Sequence, residues 1–390
     1  MRKLLGNIAI VVLSTVVTLG ILELILQFVY PAHESWRMYS VPDPELGWTL
    51  EPGAEFNRYS PGGLVKVRYN AQGFRDSDFS ESRDENALRI VVLGDSYMEA
   101  NMVSLDQVFH KQLERIARSD GRKFITFNLG VAGYGTLQEY LTYKKNGGKL
   151  KPDLVLLAFY LHNDIKNNSE QLNASAKLTR GGKRKRPYLE QSDETQWRIN
   201  PPDYSTINEE YLKRRNSLSF QIKYKSVLLT LMRNTGRALT SKFNAFESDS
   251  RLNLHRCESD ERFLPSFRTT ERIIRRLKTD VEAAGAQLVV FSVPAMFDTD
   301  TAFAQELELK AKSDGAELCV KDSPAYQKLA EILNRNGVEY IDLRPAFFKE
   351  AGGDAGELFV IGDWHWNGKG HAIAARAVYE SLKTKGYLAR

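Results

Sequence analysis

Cysteine is scarce: Cys257 and Cys319 are the only two in 390 residues. That excludes a disulfide-framework domain and any multi-cysteine zinc or iron–sulfur site. Histidine is nearly as rare, with six scattered residues and no H-E-x-x-H helix motif. From sequence, therefore, no metal and no organic cofactor is expected. The run Gly130-x-x-Gly133-x-Gly135 reverses the dinucleotide-binding spacing, and Asn367-Gly368-Lys369-Gly370 lacks the first glycine and the Ser/Thr of a phosphate loop. There is no G-x-S-x-G. Neither charge sign dominates: 54 Lys+Arg against 49 Asp+Glu leave +5, too little for a dedicated nucleic-acid binder. A mean hydropathy of −0.39 leaves room for one apolar span at most. Hydrophobic residues at 42% and charged residues at 26% exclude a disordered or collagen-like chain. The simplest class left is an enzyme that works without a built-in metal.

The single long apolar run is N-terminal. Leu4 to Leu22 carries no charge, and up to Tyr30 only Glu23 does. A helix over this stretch reaches ~40 Å at ~1.5 Å per residue, more than a ~30 Å hydrocarbon core needs. Glu23 then falls at the far headgroup level. Arg2 and Lys3 precede the run, so the positive-inside rule puts the N-terminus in the cytoplasm and everything after Tyr30 outside. A cleaved signal peptide has a shorter apolar region and a small-x-small cleavage site. Here the run ends in Phe28-Val29-Tyr30-Pro31, so residues 1–30 read as a retained anchor in the inner membrane with the rest in the periplasm.

Residues 31–87 are rich in Pro, Gly and polar groups, with short β-like pieces such as Leu64–Tyr69, and read as a leader packed on the following domain. From Leu88 onward, apolar strands at 89–93, 124–129, 154–160, 287–293 and 339–343 alternate with amphipathic helices at 105–118, 137–145, 269–284, 325–335 and 368–384. That alternation predicts an α/β domain over 88–390, a parallel sheet with helices on both faces. Residues 166–265 break the rhythm and are too long for a plain connection. They read as an inserted lid or subdomain with one helix at Ile222–Leu231. Its basic cluster, Arg180, Lys183, Arg184, Lys185 and Arg186, reads as a solvated loop, with contact to anionic lipid or an acidic polysaccharide as the sharper alternative.

Ligands in open parallel sheets bind at the carboxyl ends of the strands. After the first strand comes Gly94-Asp95-Ser96. The second is followed by Gly130-Val131-Ala132-Gly133, the third by His162-Asn163-Asp164, and the last helix is preceded by Asp363-Trp364-His365. A serine nucleophile needs an adjacent base, and that base needs a carboxylate to hold its tautomer. Ser96, His365 and Asp363 supply those residue types. A tetrahedral intermediate needs donors for its oxyanion. The N–H groups of Ser96 and Gly133 and the side-chain amide of Asn163 are suitable. Asp95 reads as fixing the turn and His371 as packing; His33, His110 and His255 have no partner that can be named.

These four blocks, in this order, resemble the SGNH (GDSL) hydrolase family. The pieces D-P-E-L-G-W and N-A-Q-G-F-R-D are similar to the leader of its membrane-anchored bacterial members. The resemblance implies a flavodoxin-like three-layer sandwich with five parallel strands. It further implies nucleophile Ser96, base His365, partner Asp363, and an oxyanion hole of Ser96, Gly133 and Asn163. Two features depart from the family. The late motif is D-x-H, not the commoner D-x-x-H, a shortening found in alginate-acetylation relatives. His162 stands where many members have glycine, which is expected to narrow the pocket. The expected activity is hydrolysis of an acyl ester of a polysaccharide, a lipid or a small alcohol. The alternatives are O-acyl transfer to an envelope polysaccharide and a non-catalytic polysaccharide-binding scaffold. An oxidising compartment also allows Cys257 and Cys319 to join, with two free buried thiols as the alternative.

Overall fold

A computed structural model describes residues 2–30, 38–60, 63–80, 84–175, 186–190, 196–244, 252–258, 261–313, 315–352, 355–361 and 363–388. The central sheet has five strands: β1 (Leu88–Leu93), β2 (Phe124–Asn128), β3 (Leu154–Phe159), β4 (Gln287–Ser292) and β5 (Glu339–Ile341). All its pairings are parallel and the spatial order is β5-β4-β3-β1-β2. This is the flavodoxin-like order, with the reversal of direction between β1 and β3.

The near-continuous apolar runs exist because helices cover both faces. In β3 every residue is buried. Val155, Leu157 and Phe159 point into one core, and Leu154, Leu156 and Ala158 into the other. The first core is closed by helices Thr136–Lys145, Leu264–Ala283 and Pro324–Arg335, the second by Phe109–Ser119, Thr301–Ser313 and Gly368–Thr384.

The leader is more than a connection. It forms two antiparallel hairpins, Ser40–Asp43 with Gly47–Leu50 and Glu55–Ser60 with Gly63–Arg68. Trp48, Leu50, Phe56, Val67, Tyr69 and Phe74 share one buried core with Val91, Phe127 and Leu157. The block Phe74-Arg75-Asp76 then enters the domain. Asp76 faces His110 at 3.3 Å and Lys111 at 2.9 Å and accepts the Asn128 N–H at 3.0 Å. Burial alone would raise the Asp76 pKa, but these partners outweigh it and bring it down to about 2. His110 thus has a partner in the leader.

The helix expected at Ile222–Leu231 is two helices, Leu218–Lys225 and Val227–Asn244, broken at Ser226. Ser226 takes extended backbone (φ −68°, ψ 122°), and a long-range partner replaces the missing local continuity. Glu23 accepts hydrogen bonds from Ser226 Oγ at 2.8 Å and from the N–H groups of Val227 and Leu228 at 3.0 Å each. A carboxylate from the N-terminal helix, Arg2–Val29, therefore caps the start of an insertion helix. Residues Lys3–Val29 of that N-terminal helix are long and apolar enough to cross a membrane, with mean hydropathy 2.5 over the best window and none of that window buried.

Cys257 and Cys319 are joined by a disulfide with Cα atoms 5.0 Å apart. It links the end of the insertion to the segment after the fourth strand's following helix.

Candidate active site

Ser96 opens a single helical turn, Ser96–Glu99, directly after β1. Asp95 is the N-cap, accepting the Tyr97 N–H at 2.9 Å. This is the turn-fixing role expected for it. The turn packs so closely on the loop after β2 that a Cβ on Gly130 would lie 2.4 Å from Met98 Cβ and 2.8 Å from the Glu99 nitrogen. Three residues on, Gly133 has φ +80°, a left-handed conformation that favours glycine.

His365 comes from the loop before the last helix. Its Nε2 lies 2.8 Å from Ser96 Oγ. Its Nδ1 lies 2.5 Å from Asp363 Oδ1. The short D-x-H spacing therefore does bring acid and ring together. The reason is the intervening residue, Trp364, at φ +69°. A left-handed non-glycine residue costs ~1–2 kcal/mol. Tyr97 Oη helps hold it by donating to the Trp364 carbonyl at 3.0 Å, and Phe303 packs edge-on against the indole. Burial alone would lower the His365 pKa, but Asp363, and more weakly Asp95, outweigh it and raise it above the ordinary histidine value.

Asn163 lies on helix Leu161–Asn167 after β3, and its amide donates to Asp95 Oδ2 at 2.5 Å. One hydrogen of that NH₂ is thereby used and the group is oriented, while the other stays available to a ligand. Asp95 is wholly buried; burial, with a smaller push from Glu99, raises its pKa. Ser96, His365, Asp363 and Asn163 are thus joined, directly or through Asp95. Gly133 lies on the neighbouring loop, tied to the serine turn by the Ala132 N–H donating to Glu99 Oε2 at 2.5 Å.

Several contributors to this arrangement carried no readable signal. Glu99 is fully buried and also accepts from Tyr69 Oη at 2.8 Å, so one carboxylate joins leader, serine turn and glycine loop. Arg58, on the second leader hairpin, pairs with Asp363 Oδ2 at 3.0 Å. Arg75 is buried and donates to the carbonyls of Glu99 at 3.2 Å, Ala100 and Val103. Only Arg75 lay in a block noticeable in advance, the N-A-Q-G-F-R-D piece.

Two expectations need correction. Arg186 is not in a solvated loop. It is buried, donates to the Gly133 carbonyl and to Gln138 Oε1 at 3.1 Å each, and lies 5.2 Å above the Trp48 ring. Burial lowers its pKa to about 10, still protonated at neutral pH. The insertion therefore supplies a cation to the glycine loop. The other members of the cluster, Arg180, Lys183, Arg184 and Lys185, and also His33, lie outside the described residues. His162 does not narrow the pocket either: it is wholly buried among Tyr160, His255 and Phe297.

The flavodoxin-like sheet thus carries a serine, a histidine and a carboxylate hydrogen-bonded in series at its strand ends. Residues 256–390, which carry Asp363 and His365, match the family model described as "SGNH hydrolase-like domain, acetyltransferase AlgX". That match covers the C-terminal third of the chain. Compared with curated proteins the chain finds no match. Among solved structures it is similar to the esterase EstA from Pseudoalteromonas sp., at 10% identity and TM-score 0.37 over 77% of this chain and 98% of that one. It is also similar to a lipase/acylhydrolase from Enterococcus faecalis, at 13% and 0.37 over 76% and 96%. A third is the acetylxylan esterase Axe2 from Geobacillus stearothermophilus, at 8% and 0.39 over 78% and 96%.

Proposed function

We propose that this protein is a membrane-anchored, extracytoplasmic SGNH esterase that cleaves an acyl ester through a Ser96–His365–Asp363 mechanism. The observation that carries the reading is the continuous relay Ser96 Oγ to His365 Nε2 at 2.8 Å and His365 Nδ1 to Asp363 Oδ1 at 2.5 Å. Ser96 Oγ attacks the ester carbonyl as its proton passes to His365 Nε2. The Ser96 and Gly133 N–H groups and the free Asn163 amide hydrogen take the oxyanion. Collapse expels the alcohol, which receives the proton from His365, and leaves an acyl group on Ser96. Water then gives a proton to His365 and attacks the acyl carbonyl; the acid leaves and Ser96 regains its proton. Asp363 stays ionised throughout and stabilises the imidazolium.

A second reading has its own support. The family model matching residues 256–390 carries the word acetyltransferase. The same acyl-enzyme would then be resolved by a sugar hydroxyl in place of water, giving O-acyl transfer to an envelope polysaccharide. Turnover of p-nitrophenyl esters of several chain lengths, with and without sugar acceptors, separates the two. Acid release independent of acceptor supports the esterase. Acceptor-dependent turnover with an acylated sugar product supports the transferase.

The anchor reading is supported by the helix Arg2–Val29, whose apolar residues face outward, and by Arg2 and Lys3 ahead of its uncharged run. With the N-terminus inside, the domain lies in the periplasm. A reporter fused after Arg390 should work only if it is of the kind active outside the cytoplasm.

A further inference from the structure

His162, His255 and Asp298 meet in the interior. Each side chain is fully buried. One ligand atom from each lies within 4.8 Å of the others. His162 Nε2 is 3.6 Å from Asp298 Oδ2, and His255 Nε2 is 3.9 Å from Asp298 Oδ1. These separations are too long for hydrogen bonds, and both nitrogens of both rings and Asp298 Oδ1 have no hydrogen-bond partner among the described residues. Buried polar atoms left this way cost ~1–3 kcal/mol each, so five together call for a ligand.

We propose that these three side chains bind one divalent transition-metal ion, zinc by the character of the donors. Two imidazoles and a carboxylate suit a borderline cation, and three protein ligands leave a fourth position for water. Ligand atoms around a tetrahedral ion with bonds of ~2.0–2.1 Å are a little over 3 Å apart. Shifts of about an ångström or less would close the present set.

The surroundings are built as a second shell is. Asp298 Oδ2 is held by Tyr326 Oη and by the Ala295 N–H, each donating at 2.8 Å, which leaves Oδ1 as the open coordinating atom. His255 is fixed through its carbonyl, which accepts the Cys319 N–H at 2.7 Å, two residues before the disulfide at Cys257. His162 is fixed on the helix after β3.

Asp298 brings a carboxylate into this buried cluster. The nearby cation is Arg344, on the face of the Tyr326 ring, and it is already paired with Asp342 at 2.7 Å. The ion would tie the end of the insertion, through His255, to the helix that carries Asn163.

The test uses the full chain in detergent, purified without chelator and without a histidine tag. Elemental analysis should find about one zinc per chain. His255→Ala and Asp298→Asn should each lower that at least ten-fold, while Ser96→Ala keeps it. Stripped wild type reloaded with Co²⁺ should show the visible bands of a tetrahedral ion, and added Zn²⁺ should raise its Tm. Metal-free wild type with no Co²⁺ bands and no Tm response would overturn the proposal. So would zinc retained in full by folded His255→Ala. If the variants do not fold, the Co²⁺ spectrum and Zn²⁺ response of wild type decide alone.

Discussion

Arg58 and Asp363, 305 positions apart in sequence, pair at 3.0 Å, while the other oxygen of the same carboxylate takes His365 Nδ1. A leader hairpin thus touches the acid that orients the ring. Both side chains are mostly shielded, at 16% and 18% exposure, so solvent weakens the pair only in part. Arg58 also opposes protonation of His365, while Asp363 and Asp95 favour it. The base must be neutral to act, and its pKa is raised. The acidic limb of kcat/KM should therefore lie above the ordinary histidine value, with activity falling as pH drops through it. Stability has the opposite sign: the raised pKa contributes fully below the unfolded value and is lost as pH rises through the folded one. Arg58→Gln should move the acidic limb to still higher pH and loosen Asp363. A pH–rate profile that does not move would mean that Arg58 is only structural.

The relay predicts a graded set of losses. A fluorophosphonate should label wild type once, at Ser96. Ser96→Ala should abolish labelling and turnover, and His365→Ala should do nearly the same, since such groups act as a unit. With Asp363 at 2.5 Å from the ring, Asp363→Asn should cost on the order of 10⁴-fold, as the wrong tautomer is then favoured. Asn163→Ala should cost ~10²–10³-fold, the loss of one oxyanion donor. Single-turnover rates on one activated ester would check the order. Wild-type turnover by Ser96→Ala would put the nucleophile elsewhere.

Gly130 has no catalytic role in this scheme, yet it should be intolerant. A Cβ there meets the Met98 side chain and the Glu99 backbone on the serine turn. Overpacking of this kind costs ~1–3 kcal/mol. Gly130→Ala should lower Tm and turnover together. Gly6→Ala, where an added Cβ meets nothing, should change neither. Equal Tm for Gly130→Ala and wild type would show that the loop shifts freely.

Much of this was readable in advance, and the failures have physical causes. Strands such as β3 announce themselves because burial on both faces demands a continuous apolar run. The meeting of Ser96, His365, Asp363 and Asn163 was legible because acyl-transfer chemistry asks for those residue types at strand ends. Arg58 and Glu99 were not legible, since one charged side chain in a polar stretch gives no periodic signal, and its partner is set by tertiary contact. Arg186 gave no sign of this for the same reason: five cations within seven residues look solvated until one of them meets Gly133 and Trp48. The break at Ser226 depends on Glu23, about two hundred residues upstream, and no local pattern can carry that.

The disulfide between Cys257 and Cys319 spans 62 positions. A bridge closing a loop of that length typically contributes ~2–4 kcal/mol, mainly by restricting the unfolded chain. Cys257→Ser with Cys319→Ser should lower the urea midpoint accordingly. Wild type under denaturing, non-reducing conditions should take up no thiol reagent. Labelling of two thiols per chain would show that the bridge is absent.

Glu23 should matter for the insertion more than for the membrane. Its carboxylate accepts three hydrogen bonds at the start of helix Val227–Asn244, a job usually done by a residue next in sequence. Replacing a capping acceptor costs ~0.5–2 kcal/mol, and here the loss is local. Glu23→Leu keeps a helix-forming apolar residue, so the N-terminal helix should still form and fractionate with membranes. The amides of Val227 and Leu228, however, lose their acceptor. Hydrogen exchange in detergent or nanodiscs should become faster at the first turn of that helix. Protection should stay unchanged in β3, whose hydrogen bonds do not involve Glu23. Glu23→Gln, which keeps an acceptor oxygen but not the charge, should fall between the two. Unchanged exchange at 227–230 in Glu23→Leu would mean that the anchor does not hold the insertion.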